Sequence, residues 1–346
     1  ADRPATDAVN ALQPRLSILL ATASESIRQA GIQTAAMLGM TGYAPELLAL
    51  AIDDERDDAT RAEAIRALDR LNAPAKVEAA RRAIATKGAK ARTEALRVLT
   101  RIDPAEAVGG LGQTLESGST AERQGAFEVL AGIPGPVVSK TLAVWLDRLI
   151  DGQVPAAIRL DLVEAASRRD DSELRAKLER YRATRSKSDP LSAYRDALEG
   201  GDAGKGREIF LTKTDASCLR CHKLKNPADG QVVGGEVGPE LSSVGSRLKR
   251  EEILESIAIP DRRIAQGFES IVVATDDGKV LTGVFRGEDG KEVRLMTAEG
   301  KFLAVPKSTI EERKRGPSAM PTDVVQKLSQ RELRDLVEFL SSLKGK

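Results

Sequence analysis

Cys218-Leu219-Arg220-Cys221-His222 holds both cysteines and the only histidine of a 346-residue chain. Side chains scattered for packing alone would have little reason to meet in one such stretch. The spacing C-x-x-C-H lets two thiols add to the two vinyl groups of one haem, while the adjacent imidazole binds the iron. Other uses of these residue types fit less well. A zinc site needs about four N or S ligands, and no further Cys or His exists. A C-x-x-C redox pair needs no histidine, and no thioredoxin-like βαβ pattern surrounds this one. The motif predicts one covalent haem c held by Cys218 and Cys221, with His222 as an axial iron ligand. A redox disulfide is the alternative.

Haem c is attached outside the cytoplasm, so a periplasmic or otherwise exported location is expected. The sequence opens ADRPATDAVN, without a basic and apolar signal region. Either a signal was removed or the chain is cut from something longer. No run of 18 apolar residues occurs, so no transmembrane segment is expected. Charged residues make up 30% but nearly cancel, to a net +1. That balance argues against a nucleic-acid platform, which needs a basic face. Aromatics at 3% leave little for stacking on bases or sugars.

Before about residue 190 alanine dominates; after about 265 glycine, β-branched residues and turn pairs do. Two domains of different class follow. In the first, Arg28, Arg61, Arg92, Arg123 and Arg159 recur every 31 to 36 residues. Four places after each comes an apolar residue: Ile32, Ile65, Leu96, Phe127, Val163. Seven places after come Ala35, Leu68, Leu99, Leu130 and Ala166. Leu38, Leu71, Ile102 and Ile133 follow at ten. These offsets trace one helix face. A second helix precedes each later copy, several opening at Pro45, Pro74, Pro104 or Pro136, where a missing N–H costs nothing. Helix pairs at this period read as an α-solenoid over 1–182, resembling HEAT repeats; a plain helical bundle is the alternative. A solenoid of this kind serves as a docking scaffold. The acidic run Asp53-Asp54-Glu55-Arg56-Asp57-Asp58 reads as a solvated loop, with a cation site as the weaker reading. A polar linker is expected over 183–201, with a short helix from Leu191 to Leu198 before Gly200-Gly201.

From 202 to 346 the pattern changes. A short helix over Asp202–Phe210 precedes the C-x-x-C-H motif. Ser329 and Glu332 form a capping box that opens a final helix through Leu343. In class I cytochromes c the first and last helices cross at a glycine and aromatics, and Gly206, Phe210 and Phe339 fit that crossing. With no second histidine, methionine is the usual sixth ligand, lysine or water the alternatives. Met37 and Met40 fall in the repeats and read as core. Met296 reads as a strand residue. Met320, in the turn-rich Gly316-Pro317-Ser318-Ala319-Met320-Pro321 before the last helix, is the candidate axial ligand. Val237-Gly238-Pro239-Glu240-Leu241 resembles the loop whose proline carbonyl accepts the axial histidine's Nδ1–H. Pro239 is therefore the candidate partner of His222, an ordinary Gly-Pro turn being the alternative. Asp277-Gly278, Asp289-Gly290 and Glu299-Gly300 separate strand-forming runs. They predict an inserted antiparallel sheet of three or four strands at about 268–310. Lys213, Arg220, Lys223 and Lys225 flank the motif, and Arg313, Lys314 and Arg315 precede the Met320 loop. They read as a basic rim for an acidic partner or as solvated loop charges.

CLRCHKL, VGPELSSVGSRLKREEILESIAIPDRRIAQGFES, DGKVLTGVF and SAMP together resemble one family over about 202–346. It is the Pirellula/Verrucomicrobium-type (planctomycete) haem-binding cytochrome c domain. Such domains typically end long exported proteins, after helical repeats and often after a sugar-dehydrogenase-like propeller. No propeller is present here. The resemblance implies a mainly α chain, a HEAT-like solenoid followed by a class I cytochrome c-like domain with a small β insertion. It implies a one-electron relay between a sugar or alcohol dehydrogenase and a downstream acceptor, with any dehydrogenase activity in another domain or chain. A peroxidase-like haem enzyme and a haem-containing interaction scaffold or sensor are the alternatives. The enzyme reading lacks a distal histidine for acid–base work.

Overall fold

The computed structural model describes residues 5–85, 88–225 and 230–345, so the outer limits of the expected domains, at 1 and 346, lie outside the described residues. The chain is mainly helical with one small antiparallel sheet. It divides into two compact units, Ala1–Val154 with Asp161–Thr184, and Pro155–Leu160 with Arg185–Lys346.

The helices before residue 184 are α1 (Ala5–Ala21), α2 (Glu25–Met37), α3 (Ala44–Ile52), α4 (Asp58–Arg70), α5 (Ala75–Ala85), α6 (Ala89–Ile102), α7 (Pro104–Ser117), α8 (Thr120–Gly132), α9 (Pro136–Ile150), α10 (Ala156–Ser167) and α11 (Ser172–Ala183). Pro45, Pro104 and Pro136 sit in first turns, where they donate nothing and lose nothing. Helices α2, α4, α6 and α8 pack on one another in sequence, and each also packs on the helix before it. The positions four and seven after the recurring arginine supply that packing. Ile32, Ile65, Leu96 and Phe127 are buried, as are Ala35, Leu68, Leu99 and Leu130. The face decays toward the helix ends, where Ile102 is exposed. The two methionines read as core part company here: Met40 is buried, but Met37 is 68% exposed.

The recurring arginine has a structural task. Arg28 donates to the Thr22 carbonyl, Arg61 to Ala51 at 3.4 Å, Arg92 to Ile84 at 3.3 Å and Arg123 to Glu116 at 2.6 Å. Each acceptor lies at the C-terminal end of the preceding helix, where carbonyls lack intrahelical partners and the dipole favours a cation. Arg28 and Arg61 are buried in doing so. The acidic run is likewise built in. Asp57 caps α4 through Thr60 N–H at 2.8 Å. Asp58 accepts from the backbone N–H of Lys90 and Ala91, opening α6 (2.8 and 2.9 Å). Asp54 pairs with Arg61 at 3.1 Å. Up to Asp57 the run does lie in the loop between α3 and α4, with Asp54 and Glu55 exposed, but its carboxylates also serve as caps and pairs. Arg61→Ala should destabilise this unit by about 2 kcal/mol, through lost packing and a carbonyl left unpaired, because the partly exposed ion pair itself adds little. Denaturant unfolding followed by the fluorescence of Trp145, the chain's single tryptophan, measures it; an unmoved midpoint would contradict this role for Arg61.

The second unit holds α12 (Ala203–Thr212), α13 (Cys218–Cys221), α14 (Val244–Arg247), α15 (Arg250–Ala258) and α16 (Gln330–Ser342). Its strands are β1 (Leu224–Lys225), β2 (Val232–Val233), β3 (Ser270–Thr275), β4 (Val280–Glu288), β5 (Glu292–Met296), β6 (Phe302–Pro306) and β7 (Ile310–Arg315). Strands β1 and β2 form a short antiparallel pair. The other five make a sheet in the order β6-β5-β4-β3-β7, every neighbour antiparallel. The sheet therefore exceeds the expected three or four strands and runs past 310. Strand β7 is Ile-Glu-Glu-Arg-Lys-Arg, almost wholly exposed, and has no apolar alternation to announce it. It exists by backbone pairing along the β3 edge, and charge on an edge strand discourages further pairing. Arg313, Lys314 and Arg315 thus belong to a strand rather than a loop.

Helices α12 and α16 pack closely along their length. Asp202 caps α12 through the N–H groups of Gly204 and Lys205 (2.8 and 3.1 Å), while its own N–H donates to Asp335 of α16 at 2.8 Å. A Cβ on Gly206 would stand 1.9 Å from the Asp335 carbonyl oxygen, so only glycine allows this approach. Phe210 and Phe339 stack beside it with ring centroids 5.8 Å apart. Ser329 and Glu332 form the expected capping box on α16. Arg250 clamps Glu338 of α16 through two bonds of 2.6 and 2.8 Å. The segment read as a linker, 183–201, divides: most of 183–190 is exposed, but from Leu191 on it packs, with a short helix over Ser192–Ala197, Leu191 and Ala197 buried in the core of this unit, and Arg185 paired with the buried Asp196.

Candidate functional site

The loop after α13 folds back onto it through the backbone. Gly235 N–H donates to Leu219, Gly238 N–H to Cys221 and Leu241 N–H to Lys223, all within 3.0 Å. Gly238 lies against the His222 ring, where a Cβ would fall 2.5 Å from Cε1. This closeness brings the Pro239 carbonyl to 2.9 Å from His222 Nδ1. A carbonyl only accepts, so Nδ1 carries the proton and Nε2 keeps a free lone pair. Burial holds the imidazole pKa down, against the opposing pull of the Pro239 carbonyl. The ring is thus neutral and oriented, the condition for a metal ligand.

Cys218, Cys221, His222, Pro239 and Met320 all line one cavity of about 420 Å³. That volume is typical of cofactor pockets. Besides α13, its walls come from Phe210 of α12, Val244 of α14, Ile253 and Ile257 of α15, and Leu336 and Leu340 of α16. Among the described residues that line it, Arg247 and Arg263 are the charged ones, and no carboxylate joins them. Met296, the rival methionine, is buried in β5 against Val237 and Val284 and does not line the cavity.

Both cysteines are free and partly buried. Burial pushes the Cys218 thiol up to about 11. Cys221 is raised for the same reason, against the charge of Arg220. A C-x-x-C pair built for disulfide exchange has a lowered thiol pKa, and burial moves both thiols the other way. Ser217, just before the motif, has φ 47°, a left-handed conformation rare outside glycine. Strain of this kind gathers at functional sites, and nothing in the sequence announces it.

Sequence reading also missed Arg286 of β4. Its guanidinium lies 4.7 Å over the Phe268 ring, which lines the cavity, and donates to the carbonyls of Glu236 and Gly267. The inserted sheet is thereby tied to the loop that carries Pro239. The expected basic rim fares differently. Lys213 pairs with Glu332, Lys223 with Glu236, Arg313 with Glu288 and Lys314 with Glu312. Carboxylates beside these cations reduce the net field that a rim would offer an acidic partner.

No protein-family model matches the chain, and no curated protein was found to match it. Among the described residues no helix is long and apolar enough to cross a membrane. Among those same residues no group of three or more His, Cys, Asp or Glu could hold a metal ion.

Proposed function

We propose that the second unit is a class I-type cytochrome c domain, carrying one covalent haem c and serving as a one-electron transfer module. One observation carries this reading: two thiols, an imidazole with a free Nε2 and a thioether line a single apolar cavity. The residues fit the group. Cys218 and Cys221 would form the thioethers, and His222 and Met320 would take the two axial positions of the iron. The iron supplies a one-electron couple, and His/Met ligation favours a high potential. The chain's residues do the rest. Pro239 holds the His222 proton on Nδ1 and fixes the ring. The apolar walls exclude water. With His222 and Met320 as its axial ligands, a bound haem would keep no open coordination position, which favours electron relay over peroxidase chemistry. The protein would pass electrons from a dehydrogenase, in another domain or chain, to a downstream acceptor, in the periplasm or another exported compartment. The first unit, with its repeated arginine caps and stacked helix pairs, is read as a HEAT-like solenoid that docks a partner.

The axial assignment is tested by Met320→Ala. The wild-type haem protein should be six-coordinate and low-spin, with the weak near-infrared band of an iron–sulfur bond when oxidised. The variant should lose that band, and its potential should fall on the order of 0.1 V or more, within the ~0.8 V that axial ligands span. An unchanged spectrum would move the assignment to another residue.

A further inference from the structure

The Met320 loop is short of anchors. Pro317 and Pro321 bracket it and lack N–H groups, so Ser318, Ala319 and Met320 carry its only backbone donors. Two of these run into one relay. Ser318 N–H donates to Asp261 Oδ1 at 2.6 Å, and Met320 N–H donates to Ser318 Oγ at 3.2 Å. Behind the loop, Gly316 N–H donates to Ser270 of β3 at 2.8 Å. The loop is therefore pinned to the sheet on one side and to Asp261 on the other.

Asp261 is itself well placed to act as a fixed post. It lies just beyond α15, whose Ile253 and Ile257 line the cavity. The turn that carries it is held by Arg262, whose N–H donates to the Ile259 carbonyl at 3.0 Å and whose side chain pairs with Glu255 at 3.0 Å. A carboxylate accepting a backbone N–H makes one of the stronger hydrogen bonds available to a surface loop.

We propose that Asp261 is a positioning residue that latches the Met320 loop over the cavity and sets how readily the thioether gives way to an outside ligand. This rests on the reading of Met320 as axial ligand. The loop exchanges between a latched state, with Met320 over the cavity, and a released state. The Asp261–Ser318 bond exists only in the first, so it biases that equilibrium without touching the iron. An external ligand binds only the released state, and its apparent dissociation constant is the intrinsic one divided by the released fraction. Weakening the latch raises that fraction and tightens external binding. The carboxylate is exposed and needs no core rearrangement to be removed.

Imidazole titration of the oxidised haem protein, followed by the Soret band at neutral pH, tests this. Asp261→Ala should bind imidazole about tenfold more tightly than wild type, equivalent to about 1.4 kcal/mol. Ser318→Ala, which breaks the second link, should shift it in the same direction. Asp261→Asn, which keeps an acceptor oxygen, should stay closer to wild type than Asp261→Ala does. In a Met320→Ala background the Asp261→Ala effect should vanish, because no thioether remains to be released. An unchanged affinity in Asp261→Ala overturns the latch, as does an equal tightening in both backgrounds, which would mean general loosening of the cavity. If wild type binds imidazole as tightly as Met320→Ala does, the axial assignment itself fails and takes the latch with it.

Discussion

A chain in which Cys218 and Cys221 are both alanine should carry no haem after denaturation, whereas the wild type should keep its haem through boiling in detergent. The two cases differ in bond type. Thioether bonds survive unfolding, whereas on the haem reading His222 and Met320 would hold the iron only while the fold keeps both at the cavity. A gel stained for haem-linked peroxidase activity reads the outcome directly. The loss should be complete in the double variant. Stained double-variant protein would show that the thiols are not the attachment points, and would return the C-x-x-C pair to a redox reading. A second effect should accompany the first. The cavity of about 420 Å³ has mainly apolar walls, and apolar walls facing unfilled space lose their contacts and destabilise a core. A variant that fails to retain haem should therefore also lose on the order of several kcal/mol of stability in the second unit.

The chemistry of the site was more legible in the sequence than its support. The motif Cys218-Leu219-Arg220-Cys221-His222 is contiguous, and its spacing alone puts the thiols and imidazole within reach of one another. Met320 was singled out by elimination among four methionines, and it lines the same cavity as His222. The three turn pairs sit at real hairpins because such turns are local: Thr275 pairs with Lys279, Asp289 with Glu292, and Thr297 with Lys301. Strand β7 escaped because it is bound by backbone alone, so its side chains carry no period. The arginine repeat was visible, but its partners were not. A guanidinium bonding the end of the helix before it is set by interhelical geometry, which periodicity does not encode. Arg286 and Asp261 escaped for the same reason. Each bonds the backbone of a segment distant in sequence, and such contacts leave no spacing rule. In the segment read as a linker, the stretch to 190 is mostly exposed and the short helix expected from Leu191 to Leu198 forms over Ser192–Ala197; what polar composition hid is that Leu191 and Ala197 are buried in the core of the second unit.

Gly206→Val should produce the largest loss of stability of any single substitution considered. Helices α12 and α16 meet where Gly206 faces the Asp335 carbonyl, and a Cβ there would lie 1.9 Å from the oxygen and 2.7 Å from Phe339 Cβ. The oxygen is backbone in the middle of α16, so no rotamer change relieves the overlap. The helices must separate instead. Separation would pull apart Phe210 and Phe339, and would stretch the bond from Asp202 N–H to Asp335. It would also shift Phe210, Leu336 and Leu340, which line the cavity. Overpacking in a well-filled core costs about 1–3 kcal/mol and occasionally more; a clash with backbone, joined to the loss of a glycine-only crossing, belongs at or above about 3 kcal/mol. The two units make a single global melting temperature ill-defined, so the readout must be local. On the haem reading the haem band would report the second unit, because Cys218, Cys221, His222 and Met320 all belong to it. Trp145 lies in α9 of the first unit and reports that one. In denaturant, the haem-band midpoint of Gly206→Val should fall well below wild type while the Trp145 transition stays in place. Gly206→Ala should fall between the two, since it carries the clashing Cβ without the branches. A haem-band midpoint equal to wild type in Gly206→Val would mean that the two helices do not meet at this glycine.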